Sequence, residues 1–376
     1  MTLQSAGGAG RKFPNRSGTA RGSHRSSLVF LTDAASNPLG LNVAIFTAAA
    51  VLVWFAGVRL TRNVDAIALR TGMDHAFVGM LLLGGITSLP EVANVATASA
   101  IGNPALAVNN LLGSAAINVL LLAVADAWIG RRAVTGVVAR PSTMMMATLC
   151  MLVLIATAVA VAVGDVDLFG LGLASLIISA LSIASFRLAT GYDARSPWSL
   201  DTHKDGDDDG SDADDETMEG RSPGALWARV ALDGAMIFAA GYALSQTGDA
   251  ISQQTGMTSA LVGFALLGLA TSTPELSTVT TALRLRRPEM AFGQVLGTNF
   301  VNLSLLPLGD ALFRGGPLIN QLGQFEIVSA LLGAALIGIF LVGLLEHRDR
   351  TVWKMGYDSA AVILVFGLGL GLLAAL

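Results

Sequence analysis

ITSLPE (residues 86–91) and ATSTPE (residues 270–275) each place hydroxyls, a proline and a glutamate inside a long apolar stretch. The first lies in AFVGMLLLGGITSLPEVANVATASAIG and the second in ALVGFALLGLATSTPELSTVTTAL. An acidic side chain at the centre of a membrane span is energetically costly, and residues of this kind usually serve a function. The two motifs therefore bear on both the fold and the function of the chain.

The composition of the chain is that of a membrane protein. Of its residues, 53% are hydrophobic and only 13% are charged, whereas soluble domains carry about 25% charged residues. A helix that crosses a bilayer needs about 20 apolar residues, and at that depth the backbone must satisfy its own hydrogen bonds. We therefore expect an all-α membrane protein with ten transmembrane helices, near residues 40–60, 76–100, 104–128, 141–163, 167–189, 224–246, 257–283, 288–313, 323–346 and 357–376.

The second half of the sequence repeats the first. When the chain is shifted by 184 residues it aligns with itself without a gap, and 31 of the 72 pairs from Ala56 to Ala127 are identical. Similarity at one fixed offset indicates duplication of a structural unit, which here contains five helices. Because five is an odd number, the second unit must enter the membrane from the opposite side. This predicts two inverted five-helix repeats.

The repeats divide the chain into four segments: a flexible N-terminal tail (1–38), the first repeat (39–190), an acidic loop (191–223) and the second repeat (224–376). The loops on one side hold 17 of the 23 Lys and Arg residues, and loops rich in these residues are cytoplasmic. We expect the acidic loop to be cytoplasmic and both termini to lie outside, in the plasma (inner) membrane. The sequence leaves the oligomeric state open.

The two motifs offer matching sets of oxygen atoms. Thr87, Ser88 and Glu91 fall near one face of a helix because they are three or four residues apart, and Thr271, Ser272 and Glu275 repeat this arrangement. Pro90 and Pro274 lack an N–H group, so the carbonyls of the residues four positions earlier, Ile86 and Ala270, should lose their helical partners. Gly84 and Gly268 should loosen the same turn.

The next helix of each repeat adds further oxygens at equivalent positions. Ser114 and Asn118 in the first repeat match Thr298 and Asn302 in the second. Gly113 and Gly297 should let this helix approach its neighbours closely. Carboxylates, hydroxyls and carbonyls are hard ligands that suit Na⁺ or Ca²⁺, and broken helices at matching positions of two halves are typical of transporter binding sites.

GITSLPE…GSAAIN and LATSTPE…GTNFVN resemble the paired α-repeats of the calcium:cation antiporter superfamily, in its sodium/calcium exchanger branch. The resemblance covers about residues 40–376. It implies that Ca²⁺ and Na⁺ bind alternately at the bilayer centre, that Glu91 and Glu275 are the central Ca²⁺ ligands, and that the first helix of each repeat slides to expose the site. It also implies that the remaining ion ligands are Thr87, Ser88, Thr271, Ser272, Ser114, Thr298, Asn118 and Asn302, beside Gly84 and Gly268.

The sequence departs from that family pattern at several positions. Ala115 stands where an Asn is usual, and the usual Gly-Asn pair is Asn109-Asn110 in one repeat and Gly293-Gln294 in the other. Some relatives have an Asp at the position of Asn302. The predicted site therefore has two carboxylates, which would neutralise one Ca²⁺, and this leaves the exchange ratio and the coupling ion open.

Other acidic residues are interpreted as structural. DGDDDGSDADDE (205–216) fits an EF-hand pattern, but it lies in an acidic tract that is more typical of a solvated linker. Asp233 is expected to pair with Arg229 one helical turn away. Asp65 and Asp249 are expected to cap helices, and Asp126 and Asp310 to mark helix ends.

The leading hypothesis is a secondary antiporter that exchanges Ca²⁺, or a related divalent cation, for Na⁺ by alternating access. The first alternative is coupling to H⁺ or K⁺ with the same fold. An intramembrane enzyme is disfavoured because the sequence lacks the common hydrolase and nucleotide-binding motifs and all four His residues fall in predicted loops or the tail. A passive channel is disfavoured because inverted repeats around a closed site are typical of transporters. Neither a cofactor nor a nucleic-acid partner is expected.

Overall fold

The computed structural model describes residues 34–73, 78–100, 102–129, 140–189, 192, 223–256, 259–285, 287–346, 351–352 and 355–376. The acidic segment 193–222, including the EF-hand-like stretch, and residues 1–33 of the predicted tail lie outside these ranges. The described chain is predominantly helical. The helices of the first half are α1 (Leu39–Thr71), α2 (Gly84–Thr87), α3 (Leu89–Ala100), α4 (Pro104–Ile129), α5 (Pro141–Val163) and α6 (Leu173–Ala189).

The second half begins with α7, a helix as long as α1. Its helices are α7 (Pro223–Thr255), α8 (Ser259–Leu261), α9 (Gly268–Thr271), α10 (Thr273–Arg284), α11 (Pro288–Ser304), α12 (Leu306–Leu312), α13 (Gln324–Glu346) and α14 (Tyr357–Leu373). Two π-helical segments, Gly79–Leu83 and Val262–Leu267, precede α2 and α9, and two 3₁₀ turns are formed by Ala34–Ser36 and Leu318–Gln321. The strands form two antiparallel hairpins, β1 (Asp167–Leu168) with β2 (Leu171–Gly172) and β3 (Thr351–Val352) with β4 (Met355–Gly356).

The element boundaries show the duplication directly. Adding 184 to the bounds of α1, α2, α3, α6 and both strands of the first hairpin gives the bounds of α7, α9, α10, α14 and the second hairpin. The long helices also end in the same way, because Gly72 (φ +68°) and Gly256 (φ +81°) adopt the left-handed conformation that terminates a helix. The sequence repeat is therefore also a structural repeat.

Two predicted spans differ from the structure. The stretch 167–189 is helical only from Leu173, because Phe169 and Gly170 have positive φ angles and turn the preceding residues into a hairpin. The stretch 288–313 is divided between α11 and α12 at Leu305. Pro307 lies at the start of α12 and cannot donate a helical hydrogen bond, whereas its repeat equivalent in the continuous helix α4 is Ala123.

The described helices include six that are long and apolar enough to cross a membrane. They are Leu39–Thr71, Leu81–Ala100, Pro104–Ala127, Pro141–Val163, Gly224–Leu244 and Gln324–Glu346. Three shorter apolar helical segments, Leu173–Ala189, Val262–Thr271 and Tyr357–Leu373, lie beside them.

The distribution of polar and apolar side chains is the reverse of that in a soluble protein. Large apolar side chains such as Phe55, Val159 and Leu364 are more than half exposed, while many Asn, Ser, Thr and acidic side chains are buried. An apolar exterior suits a lipid environment, in which buried polar groups must find partners inside the protein. The buried polar residues therefore identify the interior of the bundle as the place to look for a site.

The motif helices α3 and α10 contact the long helices, and the helices that follow them, α4 and α11, contact α13 and α6. The long helices α1 and α7 pack on each other, and each also packs on the motif of the other repeat: α1 on α10, and α7 on α3. On the remaining sides, α13 packs on α5 and α4, and α6 packs on α11. The motif segments are thus enclosed by both repeats.

Candidate cation site

Both motif helices are interrupted at the predicted place. A turn at Ser88 separates α2 from α3, and a turn at Ser272 separates α9 from α10, each two residues before a proline. The N–H groups nearest to the carbonyls of Ile86 and Ala270 are those of Ser88 and Ser272, two residues on, and the proline four residues on has no N–H to donate. The π-helical turns before each break were not predicted, and such turns are frequent at functional sites.

The two glutamates lie in the first turns of α3 and α10 and are fully buried. The N-terminal end of a helix favours negative charge, so both carboxylates occupy electrostatically suitable positions. A charge on Glu91 also repels a charge on Glu275. Two buried carboxylates so arranged need a positive charge between them or nearby.

The glutamates have few hydrogen-bond donors among the described residues. Ser114 Oγ donates to Glu91 Oε1 at 3.0 Å, whereas Glu91 Oε2 and both carboxylate oxygens of Glu275 have no donor in the described part of the chain. Three of the four carboxylate oxygens are therefore buried and available to another ligand.

The predicted hydroxyl residues lie next to these carboxylates across the repeat boundary. Thr271 approaches Glu91, and Thr87 approaches Glu275. The hydroxyls of Thr87 and Ser88 donate to the carbonyls of Leu83 and Gly84 in their own helix, both at 2.9 Å. Their hydrogen atoms are thus engaged by the backbone, and the oxygen lone pairs remain as acceptors.

Ser114 is the centre of a network that joins both repeats. Its Oγ lies 3.1 Å from Ser272 Oγ and accepts from Asn302 Nδ2 at 3.2 Å. Thr298, the repeat equivalent of Ser114, donates instead to the carbonyl of Gly84 at 3.4 Å. Asn118 lies beside this network, and its Nδ2 donates to Asn299 Oδ1 at 3.3 Å. The structure therefore brings all the predicted site residues into one region.

The predicted glycines permit close helix crossings. A Cβ on Gly84 would lie 3.0 Å from Thr298 N, and a Cβ on Gly268 would lie 3.1 Å from Gly113 C. Gly113 itself would overlap the Phe264 carbonyl if it carried a Cβ. Each motif helix therefore crosses the following helix of the other repeat at a distance that only glycine allows, which explains why ligands from both repeats meet.

Sequence reasoning did not assign a site role to the amides that precede Ser114 and Thr298 by one turn. Asn110 Oδ1 accepts from Thr271 Oγ1 at 3.3 Å. Gln294, its repeat equivalent, is fully buried and neither of its side-chain polar atoms has a partner among the described residues. The signal that could have found them is the four-residue spacing of polar side chains on each helix, which predicts one continuous polar face. These side chains are Asn110, Ser114 and Asn118 on α4, and Gln294, Thr298 and Asn302 on α11.

Other buried acids have structural partners, and two expectations about them were wrong. Asp233 pairs with Arg59 of α1 at 2.6 Å and accepts from Asn63 at 3.0 Å, so its partner is in the other repeat and is not Arg229. Asp65 lies inside α1 and pairs with Arg287 at 3.3 Å, so it does not cap a helix. Local spacing cannot reveal partners that are more than 170 residues apart.

Asp126 and Asp310 each hold the hairpin of the other repeat. Asp126 accepts from Gly356 N at 2.9 Å, and Asp310 accepts from Gly172 N at 3.1 Å. Gly172 and Gly356 are repeat equivalents, so the two contacts correspond to each other. The expectation that these acids mark helix ends is consistent with these positions, but the hairpins were not predicted.

The chemistry of the site is that of hard oxygen ligands. Within the described ranges there is no group of three or more His, Cys, Asp or Glu side chains. The site instead combines two carboxylates with hydroxyl and amide oxygens, which suits Na⁺ and Ca²⁺ better than zinc or copper.

Comparisons with known proteins agree with this fold. The family model described as "Sodium/calcium exchanger protein" matches residues 41–190 and 226–374. "Putative antiporter CaxA" of Alkalimonas amylolytica is 24% identical over 272 residues, which cover 70% of this chain and 78% of that protein. The sodium-calcium exchanger NCX_Mj soaked with 100 mM Na⁺ and 10 mM Sr²⁺ has a TM-score of 0.63 at 16% identity and covers 89% of this chain and 99% of its own. The same exchanger with zero Na⁺ and Ca²⁺ has a TM-score of 0.56 at 15% identity, covering 88% and 98%.

Proposed function

Because the chain belongs to the sodium/calcium exchanger protein family, we propose that it exchanges Ca²⁺, or a related divalent cation, for Na⁺ by alternating access. It is an integral membrane protein, and its named relatives are antiporters and exchangers. The observation that carries the proposal is the pair of fully buried glutamates with three carboxylate oxygens that no described donor reaches. A cation is the ligand that such oxygens require.

We assign the cation ligands from the contacts around the two carboxylates. Glu91 and Glu275 supply the charge, and the lone pairs of Thr87, Ser88, Thr271 and Ser272 supply neutral oxygens on both sides of it. Ser114, Asn302 and Thr298 link these groups through hydrogen bonds of 3.0–3.4 Å. Because the ligands come from both repeats, a bound cation would hold the two motif regions together.

The proposed architecture is ten transmembrane helices in two inverted repeats, with the acidic loop in the cytoplasm and both termini outside. The element-by-element repeat supports this, since five segments per unit reverse the direction of insertion. The packing of α1 on α10 and of α7 on α3 supports alternating access. Displacement of the α1–α7 pair along the motif helices would open the site to one side and then to the other.

The experiment that tests the proposal is radiolabelled Ca²⁺ uptake into proteoliposomes loaded with Na⁺ and diluted into Na⁺-free buffer. Choline-loaded vesicles and vesicles with an H⁺ or K⁺ gradient are the controls. Uptake that requires the outward Na⁺ gradient would support the proposal. Uptake driven by H⁺ or K⁺ would keep the antiporter and change its coupling ion, and the absence of Ca²⁺ uptake under every gradient would overturn the assignment of Ca²⁺.

The role of the central glutamates is tested by Glu91→Gln and Glu275→Gln. Each change removes a charge and one carboxylate ligand while preserving shape. Removing a hydrogen-bond partner of a metal ligand costs about 10–100-fold in metal affinity or activity. Removing a charged ligand itself should reduce Na⁺-driven Ca²⁺ uptake by more than this. Glu326→Gln is the matched control, because Glu326 is also buried but lies in the first turn of α13 and contacts Asn109 and Gly323 instead. The control should retain Na⁺-driven uptake, and undiminished uptake by Glu275→Gln would contradict the assignment.

A further inference from the structure

One ion pair connects a long helix to the end of a motif helix. Asp65 lies in the C-terminal part of α1, and its Oδ1 accepts from Arg287 Nε at 3.3 Å. Arg287 follows α10, and its N–H donates to the Ala282 carbonyl at 2.9 Å, which holds its backbone at the end of that helix. The ion pair of Arg59 with Asp233, in contrast, joins α1 and α7 to each other. The Asp65–Arg287 pair therefore resists movement of α1 relative to α10.

The repeat-equivalent position has the same backbone turn and a different side chain. Asn103 is the equivalent of Arg287, and its N–H donates to the Ala98 carbonyl at 2.8 Å. Its Oδ1 accepts from Leu106 N at 3.2 Å and so caps α4. Asparagine carries no charge, so it cannot form the corresponding ion pair with Asp249 of α7. Of these two equivalent contacts, only the one between α1 and the end of α10 can be ionic.

The motif helix that ends at the ion pair is also covered more completely. Ser277 and Thr281 of α10 are no more than 6% exposed, and Gly57 of α1 lies directly against Ser277. Their equivalents on α3 are Ala93, which is partly exposed, and Thr97, which is exposed. The ion pair and the tighter covering thus occur at the end of the same helix.

We propose that Asp65 and Arg287 form a latch that favours closure of the α10 side of the molecule (residues 277–287) over closure of the α3 side (residues 93–103). The inference rests on the alternating access proposed above, and under the proposed topology the latched side is cytoplasmic. Movement of α1 away from α10 breaks the pair, whereas movement of α7 along α3 breaks no equivalent pair because Asn103 is neutral. The two access states therefore differ in energy by a contact that belongs to one of them. A partly exposed ion pair shifts such an equilibrium about 2–5-fold.

The test is the labelling of single-cysteine reporters with a charged thiol reagent, applied to both sides of permeabilised membrane vesicles without an ion gradient. Thr281→Cys reports opening of the α10 side, and Thr97→Cys reports opening of the α3 side. The parent protein is the blank, because its one cysteine, Cys150, is buried. The thiolate is the reactive form, so a cysteine that water reaches is labelled fastest. We expect Thr97→Cys to be labelled rapidly and Thr281→Cys slowly.

Removal of either partner should open the α10 side. Asp65→Asn and Arg287→Gln should each raise the labelling rate of Thr281→Cys about 2–5-fold. Glu289→Gln is the matched control, because Glu289 pairs with Arg140 at 3.1 Å and this pair joins the starts of α5 and α11 without α1. The control should leave the labelling rate unchanged.

Two further variants test the charges themselves. The double reversal Asp65→Arg with Arg287→Asp should restore slow labelling of Thr281→Cys. Asn103→Arg should create a second latch opposite Asp249 and slow the labelling of Thr97→Cys about 2–5-fold. Asn103→Gln is its neutral control, because it alters the cap of α4 without adding a charge.

The labelling does not require transport, so its outcomes separate this inference from the proposed function. Equal labelling of the two reporters, or an equal increase with Glu289→Gln, would overturn the latch and leave the proposed exchange untouched. Faster labelling of Thr281→Cys in both latch variants, with no Ca²⁺ uptake under any gradient, would support the latch and overturn the assignment of Ca²⁺. If the latch variants do not fold, choline chloride replaces them, because salt screens a partly exposed ion pair. Labelling of Thr281→Cys that does not change between low and high salt would then contradict the proposal.

Discussion

The two repeats place equivalent residues around the centre of the molecule and different residues at its edges. Glu91 and Glu275 occupy the same position in their helices, and each approaches a threonine of the other repeat. Along the contact between the long helices α1 and α7 the symmetry is lost. Asp233 and Arg59 form an ion pair, whereas their repeat equivalents are Ala49 and Ala243 in an apolar cluster.

This difference shows which contacts a duplicated transporter must keep in both halves. The centre must present ligands to one cation from both repeats, so its residues are constrained together. The edges only have to hold helices in place, and an ion pair or an apolar contact can do this equally well. Variants at repeat-equivalent positions can therefore separate shared requirements from local solutions.

The largest difference is expected at the glycines where the long helices meet the motifs. A Cβ on Gly241 would overlap the ring of Pro90, and a Cβ on Gly57 would overlap the hydroxyl of Ser277. The proline ring cannot rotate away, so Gly241→Ala should destabilise the protein by about 1–3 kcal/mol and reduce transport. Gly57→Ala should cost less, because a serine side chain can turn or be shortened.

The measurement is thermal unfolding in detergent together with transport in vesicles. Adding Ser277→Ala to Gly57→Ala should recover part of the lost stability, because it removes the overlapping hydroxyl. Equal losses for Gly57→Ala and Gly241→Ala, with no recovery in the double variant, would show that the two contacts are equally rigid and would contradict the comparison.

A second difference lies at the hairpins. Ser359 Oγ donates to Asp126 Oδ2 at 2.7 Å, whereas Ser175, its repeat equivalent, is fully buried and has no hydrogen-bond partner for its hydroxyl among the described residues. Ser359→Ala should therefore lower the free energy of unfolding by about 1–2 kcal/mol, since hydrogen bonds to charged groups are the stronger ones. Ser175→Ala should change it by less than about 0.5 kcal/mol.

Denaturant or thermal unfolding of the two variants side by side measures this difference, and the common fold makes each the control for the other. Similar losses would indicate that the hydroxyl of Ser175 also has a partner, and they would remove the distinction between the hairpins. Both variants should transport normally, because neither serine lies in the network around Ser114.

The centre of the site was more predictable from the sequence than its surroundings, for a physical reason. The duplication and helical spacing selected Glu91, Glu275, Thr87 and Thr271, but they did not show that each threonine approaches the glutamate of the other repeat. The partners of Asp233 and Asp65 were not predictable in this way, because they come from the other repeat, 174 and 222 residues away. The hairpins and π-helical turns were missed because they are short and lie inside apolar stretches that also fit a regular helix.

The smallest effect is expected at the ion pair between the long helices, which the repeat-equivalent contact of Ala49 and Ala243 lacks. Asp233 is buried, but the side chain of Arg59 is 53% exposed, so water and salt screen the interaction. A double-mutant cycle with Arg59→Met and Asp233→Asn should give a coupling energy of about 0.5–1 kcal/mol that falls as salt is added. Arg59→Met alone should cost more than Asp233→Asn alone, because it leaves a buried carboxylate with Asn63 as its remaining side-chain donor in the described contacts. A coupling energy of zero would mean that apolar packing holds α1 and α7 together at both repeat-equivalent contacts, and the two contacts would then be energetically alike despite their different residues.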